Sequence, residues 1–161
     1  MSTFAPGVTG NGSSATQIGS LINVFLSVNK YLGSSGNGTA QTVLSITNLP
    51  IGIWIVSYQV RYINTTGTST INNLATALLP GSTYTTYAPF NCGWYANGAT
   101  QNISNTANVA SGTFILNNTL SSQIITLADF SSWSGTGNLA AYGNDSTTGN
   151  TQTYLQAVRI G

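Results

Sequence analysis

A chain of 161 residues is the length of one domain and long enough to bury a core, and 79 of its residues are Thr, Ser, Asn or Gly. Only Lys30, Arg61, Asp129, Asp145 and Arg159 carry formal charge; there is no His, no Glu and a single Cys. Charged residues at 3%, against roughly a quarter in an ordinary globular protein, exclude most enzymes, and nucleic-acid binding with them, since it needs Lys and Arg clusters to displace counterions from phosphates.

Residues 1–16 are rich in Gly, Ser, Thr and Pro and have no periodicity, so they read as an N-terminal arm ahead of one domain at 17–161. Met1-Ser-Thr-Phe-Ala-Pro-Gly7 has neither the basic nor the apolar region of a secretory signal. Leu21–Val28 is apolar but too short for a membrane span, and Asn23 and Ser27 interrupt it. Gln17–Leu32 is the first expected strand region, closed by the turn cluster Gly33-Ser-Ser-Gly-Asn-Gly38. Ala40–Thr47 gives a second strand, and Asn48-Leu-Pro-Ile-Gly52 a tight connection in which Pro50 sets φ and lacks a donor.

Ile53–Ile63 is the clearest strand. Trp54, Val56, Tyr58, Val60 and Tyr62 fall on one wholly apolar or aromatic face, while Ile53, Ile55, Ser57, Gln59 and Arg61 fall on the other. The first face is expected in the core. Ser69–Leu79 reads as strand or short helix, with β-branched neighbours favouring strand. Pro80–Asn91 reads as strand or loop, and Cys92–Thr100 as a loop carrying Trp94 and Tyr95. Asn105–Leu116 alternates as a strand, Asn117–Ser122 turns, and Gln123–Ala128 is a short strand. Phe130–Gly137 is expected as a loop carrying Trp133, followed by a short strand at Asn138–Tyr142 and a polar turn at Gly143–Gly149. Thr151–Ile160 closes the chain as a strand.

With 10% aromatic and 41% hydrophobic residues the chain is too rich in core formers to be disordered. Eight or more short strands, spaced about ten residues apart, imply an all-β sandwich or jelly roll. A net charge of +1 leaves little repulsion between copies, which favours association.

Few residues could carry chemistry. Asp129 and Asp145 are the only carboxylate pair available for a glycosidase-type hydrolysis, and both sit in turn contexts. Asp145 reads as an Asx turn, and Asp129 as a loop cap or an arginine partner. Cys92 has no His to activate it and reads as a small buried hydrophobe. One Cys and no His cannot build a tetrahedral zinc site, and no phosphate-binding Gly loop is present, so no metal or cofactor is expected. Arg61 and Arg159 lie in strongly patterned strands, where a guanidinium needs a partner; carboxylate or carbonyl partners are expected, with an assembly interface as one source of them. Trp94, Tyr95 and Trp133 are the candidate ligand-binding residues, because sugars stack on aromatic faces and bond to neutral amides and hydroxyls. Six Asn-X-Ser/Thr sequons, at Asn11, Asn37, Asn64, Asn102, Asn117 and Asn144, are close to the number this composition produces by chance.

The order of segments carries a resemblance. A strand is entered through a Pro/Gly turn, Leu49-Pro-Ile-Gly-Ile-Trp-Ile-Val-Ser-Tyr58, and a long middle follows. Then comes a strand-turn-strand pair, Ser111-Gly-Thr-Phe-Ile-Leu-Asn-Asn-Thr-Leu-Ser-Ser-Gln-Ile-Ile-Thr-Leu127, and a terminal apolar strand, Tyr154-Leu-Gln-Ala-Val-Arg-Ile-Gly161. Residues 40–161 resemble the tumour-necrosis-factor and complement-globular-head jelly-roll superfamily, including its viral and phage fibre-head relatives. Where that family carries an Asp after the Gly of the penultimate turn, this chain has Asn117-Asn-Thr-Leu-Ser-Ser122. The resemblance implies a jelly-roll β-sandwich that trimerises with its terminal strand near the threefold axis.

The expectation is therefore a non-enzymatic structural subunit of a viral or phage particle (fibre head, minor capsid or surface decoration). It would associate with itself as a trimer, and residues 1–16 would dock it to other particle or filament proteins. Synthesis in the cytosol without a signal peptide, and work at a virion or extracellular surface, complete that expectation, with no nucleic acid and no membrane insertion. The alternative is a lectin-like module that binds cell-surface glycan through Trp94, Tyr95 and Trp133.

Overall fold

A computed structural model describes residues 17–32, 41–64, 69–81, 91–103, 108–135, 139–143 and 152–161; the expected arm at 1–16, the expected turn at 33–38, residues 82–90 of the segment 80–91 read as strand or loop, and all but Gly143 of the expected turn at 143–149 lie outside them. The strands follow in the order β1 (Leu21–Phe25), β2 (Lys30–Tyr31), β3 (Gln41–Leu49), β4 (Gly52–Asn64), β5 (Ser69–Pro80) and β6 (Asn91–Ile103). They continue with β7 (Asn108–Asn118), β8 (Gln123–Asp129), β9 (Ser132–Gly135), β10 (Leu139–Ala141) and β11 (Tyr154–Arg159).

The strands form two antiparallel sheets. In the first, β4 is the spine: β7 pairs along one edge, while β11 and β10 pair one after the other along the opposite edge, backed by β1 and β2. The second sheet runs β3-β8-β5-β6, with β9 following β8 along the same edge of β5. Four pairings are nested in sequence: β5 with β6, then β4 with β7, β3 with β8, and β1 with β11. One long antiparallel ribbon folded over itself gives that nesting, which is the jelly-roll topology.

The period-two pattern of β4 sets the core. Trp54, Val56, Tyr58, Val60 and Tyr62 are all buried, as expected, because alternate residues of a strand point to opposite faces. They join Leu44 and Ile46 of β3, Leu78 of β5, and Ile125 and Leu127 of β8 in one cluster between the sheets.

Three expectations are corrected. The expected strand region Gln17–Leu32 is two strands, β1 and β2, broken at 26–29. There, Asn29 Oδ1 accepts the backbone N–H of Gly143 at 2.9 Å, and a Cβ on residue 143 would fall on the Val28 backbone, so only glycine allows that close approach. Residues 92–100, expected as a loop, lie inside β6. The β5–β6 register moves from Ile71↔Gln101 to Asn73↔Ala96, so the breaker residues Asn97 and Gly98 sit in a bulge opposite Asn72 and do not end the strand. The expected loop at 130–137 contains β9, whose ladder with Ser69–Asn73 supplies the hydrogen bonds its short sequence does not advertise.

Candidate assembly face

The outer face of the first sheet is built by the residues that alternate with the core set, and the register places them in rows across four strands. Leu21, Val158, Ile55 and Ile115 stand side by side on β1, β11, β4 and β7, an unbroken aliphatic row. The next row is Asn23, Gln156, Ser57 and Thr113, which is polar and uncharged. Phe25, Tyr154, Gln59 and Ser111 make the third. Beyond them Arg61 is paired with Val109.

The face keeps large apolar side chains in water. Ile115 is 67% exposed, Val109 53% and Phe25 44%. Ile53 and Ile160, at the aliphatic end, are also exposed and are tied together through their backbones, Ile160 N–H donating to Ile53 O at 2.7 Å. Single exposed aliphatics are ordinary on a protein surface, but a row in which exposed Ile115 continues into half-buried Ile55, Val158 and Leu21, with Ile53 and Ile160 exposed beside it, is the composition of an interaction surface.

The two arginines lie at opposite ends of this sheet. Arg61 is half-buried with its guanidinium 4.8 Å from the centre of the Tyr142 ring, where the negative face of the ring attracts it. Arg159 Nε donates to Gly161 O at 3.1 Å, and its guanidinium lies 5.8 Å from the Trp54 ring centre. Both side chains are thus held by aromatic and carbonyl groups of their own chain.

Asp129 is placed elsewhere, between the sheets. Its carboxylate is buried and accepts hydrogen bonds from Tyr62 Oη at 2.6 Å, Ser131 Oγ at 2.6 Å and Ser131 N at 3.2 Å. It caps the jog between β8 and β9, and neither arginine is its partner. Burial raises its pKa above the usual carboxylate value, outweighing the Ser131 and Tyr62 hydrogen bonds, which lower it. Burial likewise pushes the Tyr62 hydroxyl well above its ordinary value, and the adjacent Asp129 adds to the rise.

The aromatic candidates all lie on strands of the second sheet. Trp94 and Tyr95 lie in β6, opposite Ala75 and Leu74, and so on strand rather than loop. Trp133 is on β9 and only 4% exposed, so its ring belongs to the core and offers no surface for a sugar. The structure brings forward residues that the sequence reading did not single out as a site: Ile55, Ile115, Val158 and Leu21. Their common row depends on the register of three ladders, and only the alternation within β4 was visible in the chain itself.

No family model and no curated protein matches the chain. Among solved structures it is similar to the Eiger TNF of S. frugiperda, with 9% identity and a TM-score of 0.49 over 89% of each chain. It is also similar to a structure of infectious bursal disease virus, Gt strain, with 13% identity and a TM-score of 0.38, covering 100% of this chain and 42% of that one. The jelly-roll assignment stands on the nested strand pairings.

Proposed function

We propose that this chain is a non-enzymatic structural subunit that associates with copies of itself through the outer face of its first sheet, as a trimer within a viral or phage particle. The observation that carries the reading is the aliphatic row Leu21–Val158–Ile55–Ile115, which lies beside a row of uncharged amides and hydroxyls. A second copy suits such a face: apolar rows gain from mutual burial, and neutral amides hydrogen-bond to their own kind without charge matching. Closed symmetry would also cover sheet edges that otherwise invite uncontrolled pairing. Residues 1–16 would serve as the attachment to other particle proteins.

The test is native mass by light scattering on the full chain, the Ile115→Asp variant and a chain lacking residues 1–16. We expect a three-copy mass for the full chain and for the truncated one. Ile115 is mostly solvated in the subunit, so Ile115→Asp should leave the fold intact and reduce the mass to one copy. A monomeric full chain, or an Ile115→Asp variant that keeps the full mass, would overturn the proposed face.

A further inference from the structure

In a chain with two side-chain carboxyls, one of them, Asp129, is 2% exposed. It sits at the end of β8, where the chain jogs into β9 along the edge of β5. Tyr62 reaches it from the opposite sheet, and Ser131 closes its other side through both hydroxyl and backbone N–H. Its ladder neighbours are Gln41 on β3 and Thr76 on β5, both uncharged. Tyr58, four residues along β4 from Tyr62 and on the same face, accepts from Thr76 Oγ1 at 3.5 Å. Arg61 is on the other face of β4, over Tyr142. Lys30 lies two strands from Tyr62 in the first sheet, beyond Ala141. Among the described residues, no cation pairs with Asp129.

A carboxylate buried with no countercharge is penalised by lost hydration, so its neutral form is favoured. The partners permit that form. Tyr and Ser hydroxyls accept as well as donate, so a proton on Oδ1 can be donated to Tyr62 Oη or Ser131 Oγ while Oδ2 keeps the Ser131 N–H. Arginine or lysine partners would have forbidden this reversal.

We propose that Asp129, Tyr62 and Ser131 form a proton-gated clamp between the two sheets, which tightens the subunit as the pH falls. The proposal goes beyond the assembly reading and does not rest on it. The sign follows from linkage. Asp129 binds its proton more tightly folded than unfolded, so its contribution to stability is complete below the ordinary carboxylate value of 3.8 and is lost as pH rises through the higher folded value. With no His and no Glu in the chain, few other groups oppose this dependence in the acid range.

Thermal unfolding of the full chain between about pH 8 and about pH 4 tests the clamp. The Tm should rise on acidification by about 3 °C or more, the Asp129→Asn variant should lose the rise, and Asp145→Asn should keep it. A flat or falling Tm in the parent chain, or a rise that survives Asp129→Asn, would overturn the clamp. Should Asp129→Asn fail to fold, carboxyl-carbon NMR of the parent chain decides, with the second side-chain signal identified by its loss in Asp145→Asn. A midpoint for Asp129 above 3.8 is expected; a midpoint at or below that value overturns the proposal.

Discussion

At one end of the sandwich the turn before β4 meets the turn after β7, and the side chain between them is Asn118. Its Nδ2 lies 2.9 Å from Leu49 O, 2.8 Å from Pro50 O and 3.0 Å from Leu120 O, while Oδ1 accepts Leu120 N–H at 3.0 Å. Pro50 O also accepts from Trp54 Nε1 at 3.1 Å, so this one amide links two turns to the largest core side chain. Replacing it with alanine takes this donor from the buried Leu49 carbonyl and cuts the tie between the two turns, so Asn118→Ala should destabilise the subunit by about 3 kcal/mol. Calorimetry would read this as a Tm drop of roughly 10 °C; a drop under about 2 °C would mean that water replaces the amide. Asn117–Ser122 was legible as a turn from its composition. That Asn118 reaches back to residues 49 and 50 was not, because local sequence carries no signal for a contact 68 residues away.

At the scale of elements, β4 shows how strongly a period-two pattern specifies structure when one side is fully buried. Slipping the strand by one residue would expose Trp54, Tyr58 and Tyr62 together, so its register has no competitor. Neighbours on this strand should therefore respond in opposite ways. Tyr58→Ala should destabilise by about 3–5 kcal/mol through a core cavity, while Gln59→Ala, on the outer face, should stay within about 0.5 kcal/mol. Urea titration of the two variants would check this, and equal losses would contradict the assigned faces. β6 is the opposite case. Its Asn and Gly residues signal an interruption, and the interruption exists as a bulge, but the β5 ladder carries the strand through on both sides of it. Ladder pairing with β5 within the second sheet decided what local propensity left ambiguous.

Over the whole molecule, the scarcity of charge governs how copies meet. Five formal charges in 161 residues leave almost nothing for salt to screen, and the first three rows of the outer face contain none of them. Association through that face should be insensitive to ionic strength. The sedimentation-velocity profile is expected to be unchanged between about 0.05 and about 1 M NaCl, apart from a slight tightening as apolar burial strengthens. Dissociation by salt would point instead to Arg61, Arg159 or Lys30 as the contacts that hold copies together.

Composition and alternation in the chain were enough to determine an all-β sandwich in which Ile53–Ile63 is the clearest strand and turns its aromatic face inward. That follows because β-branched and aromatic side chains pack on a pleated surface and alternate residues must take opposite faces. The same features identified Arg61 and Arg159 as needing partners, since a guanidinium in a patterned strand cannot be left bare. Tertiary structure alone decided which rings they meet, Tyr142 for Arg61 and Trp54 for Arg159. It also decided that Trp133 is core, that Asp129 is clamped by a tyrosine from the opposite sheet, and that four aliphatic residues from β1, β11, β4 and β7 align in one row. Each of these depends on ladders and packing between residues far apart in the chain, where strand register, rather than local preference, sets what touches what.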